Sequence, residues 1–135
     1  MVMPYVTDTH TLIWYMTDDP NLSIKAKRIF KKVDNIQEHV FIPCIVFFEL
    51  PYLIEKKKVS VDFDGFLAMV SSSNNYMIEP MCLPIIKKSR KIPREMVADP
   101  WDRLIAATSM HLNFPLISRD ESLRELELEG FEVVW

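Results

Sequence analysis

Glycine is nearly absent: the 135 residues hold two, Gly65 and Gly130. A glycine-rich phosphate loop, a Walker motif or a dinucleotide fingerprint each needs several closely spaced glycines, so nucleotide cofactors are excluded. Cysteine is as scarce. Cys44 and Cys82 stand far apart, with no CxxC spacing and no neighbouring histidine cluster, which indicates neither a zinc site nor a disulfide framework. Two buried free thiols in a cytosolic protein are the expectation. No apolar run reaches the roughly 20 residues of a membrane crossing. The opening Met1-Val2-Met3-Pro4-Tyr5 lacks the basic and then apolar order of a secretory leader. A soluble, cytoplasmic chain without a membrane partner is therefore expected. A basic excess is missing too, the formal net charge being −3, whereas proteins that clamp nucleic acid by charge alone are usually basic.

What is present is ordinary globular usage. Nearly half the residues are apolar and about a quarter charged, at a length that supports one core and not two, so one domain over residues 1–135 is expected. Met3 to Thr7 reads as a buried strand, and Asp8-Thr9 caps a helix carrying Leu12 to Met16. Ser23 caps a second helix with Ile24, Ile29, Phe30 and Val33 at helical spacing, and Val40 to Ile42 reads as the next strand. A helix over Ile45 to Lys57 follows, bent at Pro51. Then come a helix over Phe63 to Val70, a strand over Tyr76 to Ile78 and a helix over Pro84 to Lys91.

Asp99-Pro100-Trp101-Asp102 opens a long helix, with Asp99 as cap and Pro100 in the first turn. Its expected inner face is Trp101, Leu104, Ile105, Thr108 and Leu112. Leu116 to Ser118 reads as a strand, Asp120 to Leu128 as a helix with an exposed acidic face over Glu121 to Glu129, and Phe131 to Trp135 as a closing strand. Strands alternating with helices argue for an α/β fold with a central parallel sheet flanked by helices on both faces.

In such sheets functional residues collect where strands end and helices begin. Asp8 follows the first strand, Glu49 lies on the helix after the second, Asp102 opens the long helix and Asp120 follows the Leu116 to Ser118 strand. Each lies beside apolar sequence and is costly to ionise unless solvated or paired. Four converging carboxylates without basic partners in their own motifs repel one another, and hard divalent cations such as Mg²⁺ or Mn²⁺ are the usual compensation. Phosphodiester hydrolysis is the chemistry such a site performs, with cations reversing the sign of an acidic pocket. Lysine and arginine clusters at Lys56-Lys57-Lys58 and at Lys87, Lys88, Arg90 and Lys91 read either as solvated faces or as phosphate contacts.

Taken together, Tyr5-Val6-Thr7-Asp8-Thr9-His10 with Leu12-Ile13-Trp14, Phe47-Phe48-Glu49-Leu50, Asp99 to Thr108, and Leu116-Ile117-Ser118-Arg119-Asp120 resemble, in order and spacing, the PIN-domain nucleases, and among them the VapC-type toxins of toxin–antitoxin pairs. The resemblance covers almost the whole chain. It implies a PIN-like three-layer sandwich, Mg²⁺- or Mn²⁺-dependent endoribonuclease activity on RNA, a homodimer, and a small cognate antitoxin reaching the site. It also implies that Asp8, Glu49 and Asp102 are the central acids and Asp120 the fourth, as catalytic residues and metal ligands. Two positions depart from the family pattern. Pro51 stands two residues after the glutamate, and Leu53 stands where many relatives carry a lysine.

Plainer readings exist for each residue. Asp8, Asp102 and Asp120 could serve as helix-start residues, and capping alone accounts for Asp99, which is kept as a secondary candidate. Glu49 among Phe47, Phe48 and Leu50 is hard to explain as a solvated acid. His10 reads as a local hydrogen-bonding residue, and Trp14 and Trp101 as core packing. The alternative for the chain is a non-catalytic PIN-like module that binds RNA or protein in the same pocket. A phosphoaspartate enzyme is disfavoured, because Thr9-His10 supplies no second acid two residues after Asp8.

Overall fold

The computed structural model describes residues 3–135. Its elements in chain order are β1 (Met3–Thr7), α1 (Thr9–Met16), α2 (Ile24–Asp34), β2 (Glu38–Pro43), α3 (Cys44–Glu55) and α4 (Phe63–Ser72). They continue with β3 (Tyr76–Glu79), α5 (Leu83–Ser89), α6 (Pro100–Leu112), β4 (Leu116–Ile117), α7 (Glu121–Arg124) and β5 (Val133–Val134). The sheet runs β3-β2-β1-β4-β5 with every pairing parallel, so β1 lies at its centre. Helices flank it, as expected for the PIN-like α/β sandwich.

Strands buried on both faces must be apolar along their length, and Val6, Val40, Ile42, Leu116 and Ile117 are fully buried. The helices supply amphipathic faces. Ala26, Ile29, Phe30 and Val33 bury the inner stripe of α2, which packs on β2, while its lysines stay in solvent. On the other side of the chain, α6 packs on β1 and α5 packs on α6. A leucine such as Leu50, fully buried on α3, contributes about 1.5 to 3 kcal/mol of transfer free energy.

Several boundaries shift from the sequence expectation, each for a local reason. The third helix occupies Cys44–Glu55 with Pro51 inside it. It ends when Lys57 turns left-handed at φ 56°, letting Lys57 N and Lys58 N donate to the carbonyls of Ile54 and Leu53 at 3.0 Å each. The fourth strand and its neighbour pair over two residues only, Leu116 with Val133 and Ile117 with Val134. The helix expected over Asp120 to Leu128 stops at Arg124. Beyond it, Leu126 and Leu128 turn inward while Glu125, Glu127 and Glu129 face solvent, an alternation of period two that suits extended chain and not a helix. Gly130 at φ 77° then makes the turn into β5.

Three burial expectations are corrected. Cys44, at the first position of α3, is exposed, and Cys82, the N-cap of α5, is half-buried. Trp101 is 39% exposed and not part of the core. It lies in the first turn of α6, ahead of the stretch Ile105 to Ser109, which is buried all round. Trp14 is half-buried, with Arg119 stacked 5.6 Å from its ring centre.

Candidate active site

From β1 the chain proceeds outward to β2 and β3 on one side, and β4 and β5 occupy the other. The loops after β1 and β4 therefore diverge and leave a crevice at the carboxyl edge of the sheet, where open α/β sheets bind ligands. A cavity of about 630 Å³ opens there. All five acids singled out in the sequence line it: Asp8, Glu49, Asp102 and Asp120, with Asp99 beside them. Glu121 is a sixth carboxylate, and the cations on the wall are Arg119 and Arg124.

Capping and convergence are compatible here. Asp8 Oδ1 accepts from Thr11 N at 2.9 Å and so caps α1, while its Oδ2 accepts from Ser118 Oγ at 2.5 Å across the gap between β1 and β4. Ser118 Oγ in turn accepts from Asp120 N at 3.1 Å, so one hydroxyl ties the loops after β1 and β4 together. Asp120 Oδ1 caps α7 through Leu123 N at 3.0 Å and also accepts from Ser122 Oγ at 2.5 Å. Asp99 Oδ1 caps α6 through Trp101 N at 2.8 Å. Arg103 Nη1 donates to the carbonyls of Val97 and Ala98 at 2.6 and 2.9 Å, which ties the segment before α6 to its first turns. Glu49, despite the nearby Pro51, is held by Thr9 Oγ1, which donates to its Oε1 at 2.6 Å. Leu53 is buried, so no cation stands one turn beyond Glu49 on α3.

The donors to the carboxylates themselves are neutral hydroxyls and backbone amides. They orient carboxylates without cancelling their charge, and the electrostatics follow. Burial pushes the Asp102 carboxyl up from its ordinary 3.8 to about 7, and the neighbouring charges of Asp99, Asp120, Asp8 and Glu49 add to the rise. Asp8 is also raised by burial, opposed by its hydrogen bonds from Ser118 and Thr11 and by the nearby His10. Five acids from four stretches of chain thus share one electrostatic environment, which is the convergence the sequence required.

The carboxylates offer hard oxygen donors, the chemistry that suits Mg²⁺ or Mn²⁺, and among the described residues His10 is the one imidazole on the cavity wall. Among the described residues, no three histidine, cysteine or carboxylate groups are already drawn into one coordination shell. Mg²⁺ is commonly held by one or two carboxylates together with waters and substrate phosphate, so the acids need not meet at one point to serve it.

Sequence reasoning found the acids and missed what holds them. Ser118 reads as the last residue of a strand, and Thr9 as a helix-start polar residue. Their partners lie 110 and 40 residues away, so only the fold pairs them. The one local sign was a hydroxyl two residues before Asp120. Arg119, Arg124 and Trp14 were likewise not singled out as cavity residues, and they line it.

Comparison with known proteins agrees with this geometry. The PIN domain matches residues 5–128. Over 128 residues, 95% of each chain, the sequence is 22% identical to Ribonuclease VapC22 of Mycobacterium tuberculosis. In structure it is similar to VapBC2 from Rickettsia felis bound to a DNA fragment from their promoter, with a TM-score of 0.70 at 17% identity over 98% of each chain. It is also similar to a toxin–antitoxin complex from Klebsiella pneumoniae, with a TM-score of 0.64 at 19% identity over 94% of each. At these identities the structural likenesses establish the fold, and the match over most of the chain establishes the family. With a parallel sheet of this order and an acid-lined cavity at its carboxyl edge, the chain belongs to the PIN-domain family.

Proposed function

We propose that this chain is a divalent-metal-dependent endoribonuclease acting as the toxin of a toxin–antitoxin pair. The observation that carries the reading is the convergence of Asp8, Glu49, Asp102 and Asp120 on one cavity, with Asp8, Glu49 and Asp120 oriented by neutral hydrogen-bond donors only. The likeness to Ribonuclease VapC22 supports the substrate class, and the likeness to toxin–antitoxin complexes supports a small cognate antitoxin as partner. A homodimer in the cytoplasm, expected from the resemblance, belongs to the same reading. Among the described residues no helix is long and apolar enough to cross a membrane.

Asp8, Glu49, Asp102 and Asp120 are the residues that would hold Mg²⁺ or Mn²⁺, with Asp99 at the rim. Bound there, the cation would supply Lewis acidity toward the scissile phosphate and lower the pKa of a water. The chain's own residues prepare this. Ser118 and Thr11 fix both oxygens of Asp8, and Thr9 fixes Glu49, so these carboxylates are oriented before substrate arrives. Asp102 holds its proton to near neutrality in the cation-free state and gives it up when positive charge enters the cavity. Arg119, braced by Asn21 at 2.9 Å and by Trp14, and Arg124 are the groups on the wall able to contact phosphate oxygens.

The test is cleavage of a structured RNA by purified protein with Mg²⁺ or Mn²⁺, with chelator, and with Asp102→Asn. Cleavage should need the ion and disappear in the variant while its circular dichroism is unchanged. Undiminished cleavage by a highly purified Asp102→Asn protein would remove the mechanism. The open arrangement of the acids favours one competing reading, a PIN-like module that binds RNA or protein without cutting. Calorimetric titration with Mn²⁺ separates the two: no heat of binding and no cleavage would select the module.

A further inference from the structure

We infer that Trp14 and Asn21 are positioning residues that hold the Arg119 guanidinium off the carboxylates of the cavity and keep it free to grip a phosphate of the RNA backbone. The inference deepens the ribonuclease reading above and rests on it. A guanidinium presents five N–H donors in a flat fork, and its strongest partners are carboxylates and phosphates held by two parallel bonds. Arg119 stands next to Asp120 in sequence, on the wall of a cavity lined by six carboxylates. Among the described residues the one ion pair joins Lys27 to Asp18, neither of which lines that cavity. Arg119 thus binds no acid, although acids share its wall.

What it binds instead is neutral. Its Nη1 donates to Asn21 Oδ1 at 2.9 Å, and its Cζ lies 5.6 Å from the centre of the Trp14 ring. Each of these partners is itself fixed. Asn21 donates from its backbone N and its Nδ2 to Asp19 Oδ1, at 2.8 and 2.9 Å, which leaves its own Oδ1 presented to Arg119. The Trp14 ring meets Trp135 edge-on with centroids 6.0 Å apart, and His10 stands at the same distance. The bracket therefore draws on α1, the turn before α2 and the residue after β5. Arg119 and Asn21 are exposed, so this ordering adds nothing to the core and costs rotamer freedom.

The occupant follows from what the bracket leaves open. The other donors of the Arg119 fork have no protein partner among the described residues. A loose arginine here would fall onto Asp120 or Glu121, cancelling negative charge that a cation needs and filling its own fork. Held by an amide oxygen and a ring face, it keeps both its charge and its vacant donors. A phosphodiester offers two non-bridging oxygens that match such a fork, and it is the anion a ribonuclease brings to this cavity.

The decisive measurement is fluorescence anisotropy with the full chain and a labelled oligouridylate in chelator, over a range of salt, with Mn²⁺ calorimetry on the same proteins. Arg119→Gln should weaken RNA binding by about ten- to a hundredfold, the range for a hydrogen bond to a charged group. It should also flatten the slope of log affinity against log salt by about 0.7, the share of one phosphate contact to a single strand. A merely structural arginine would not move that slope. Asn21→Ala and Trp14→Leu should each lose RNA affinity and also weaken Mn²⁺ binding by about fivefold, the effect of one unit charge a few ångströms away even at the dielectric of water. Adding Arg119→Gln to Asn21→Ala should return Mn²⁺ affinity to that of Arg119→Gln alone. Trp14→Phe keeps a ring face and should bind both ligands as the wild type does. Asn21 is exposed, so its variant stays readable if Trp14→Leu fails to fold. An unchanged salt slope in Arg119→Gln, the result expected if the fork serves a carboxylate of a protein partner, would overturn the inference. So would wild-type affinity for both RNA and Mn²⁺ in Asn21→Ala. Arg119-dependent RNA binding without Mn²⁺-dependent cleavage supports the bracket and defeats the nuclease reading. Mn²⁺-dependent cleavage with an unchanged slope does the reverse.

Discussion

Asp102→Asn should stabilise the metal-free protein at alkaline pH while abolishing cleavage. The carboxyl of Asp102 titrates near 7 in the fold against 3.8 as its ordinary value, so the folded state binds the proton more tightly than the unfolded one. For a group raised in this way the fold is most stable at low pH. Stability then falls as pH rises from the unfolded value through the folded one, because the unfolded chain ionises freely and the folded chain cannot. A shift of about three units corresponds to about 4 kcal/mol at face value. Asp102 is half-buried and its neighbours act across a solvent-filled cavity, so screening reduces the figure to about 1 to 2 kcal/mol. Asparagine has nearly the same shape and no charge, so it keeps the neutral-state stability at every pH. In a chain of this length the gain amounts to about 4 to 8 °C in Tm at about pH 8, shrinking to about a third of that at about pH 5. Thermal melts in chelator at the two pH values measure it directly. Millimolar Mg²⁺ at the higher pH should raise the wild-type Tm and leave the variant's almost unmoved. A Tm difference of the same size at both pH values, or a variant less stable at the higher one, would refute the carboxylate-crowding argument.

Other perturbations reach the neutral frame of the site and the core behind it. Ser118→Ala removes the donor to Asp8 Oδ2 and the acceptor for Asp120 N, and should weaken Mn²⁺ binding by about 10- to 100-fold in calorimetry. Unchanged affinity would show that the hydroxyl does not orient Asp8. Leu50→Ala, at a fully buried position next to Glu49, should cost about 2 to 5 kcal/mol in urea denaturation. A loss under about 1 kcal/mol would mean that α3 is not anchored there. Ile36 is a β-branched residue held at φ 61° with 74% of its surface exposed. Ile36→Gly should therefore raise stability by about 1 kcal/mol, the cost of the left-handed conformation being removed with almost no packing lost. A destabilised variant would count against that accounting.

The sequence carried most of this architecture because local and tertiary preferences agree along much of the chain. Met3 to Thr7 is apolar ahead of its fully buried end, Val6 and Thr7, and Asp99-Pro100 marks the start of α6 with two independent signals. Disagreement arises where one period imitates another. Leucines at 123, 126 and 128 can be read as a helical stripe, yet in the fold the last two belong to a chain alternating inward leucine and outward glutamate. Trp101 fits the inner stripe of α6 by spacing alone. Spacing does not tell which turns of a helix are covered, and in the first turn of α6 the Trp101 ring meets the exposed ring of Phe48. The acids were legible because each follows a strand or opens a helix, a relation local in sequence. Thr9 to Glu49 and Ser118 to Asp8 were not, because a hydroxyl's partner is set by strand order, and β4 reaches β1 only after two other strands and six helices have been laid down.

The difference between those two groups explains the departure at Leu53. A lysine one turn beyond Glu49 would pair with it, lower the negative charge of the cavity and ease ionisation of Asp102 through reduced repulsion. Here the position is buried leucine, and Glu49 is oriented instead by Thr9, a donor that fixes geometry and leaves the charge intact. Every protein hydrogen bond to Asp8, Glu49, Asp99 and Asp120 in the described residues comes from a hydroxyl or a backbone amide. The stability sacrificed to this repulsion is recovered only when a cation enters the cavity. Leu53→Lys should lower overall stability, because the position is only 6% exposed and the leucine's packing is lost, and should in addition weaken Mn²⁺ binding in calorimetry by bringing a cation toward Glu49. Unchanged Mn²⁺ affinity in the folded variant would show that the charge of Glu49 plays no part in holding the ion.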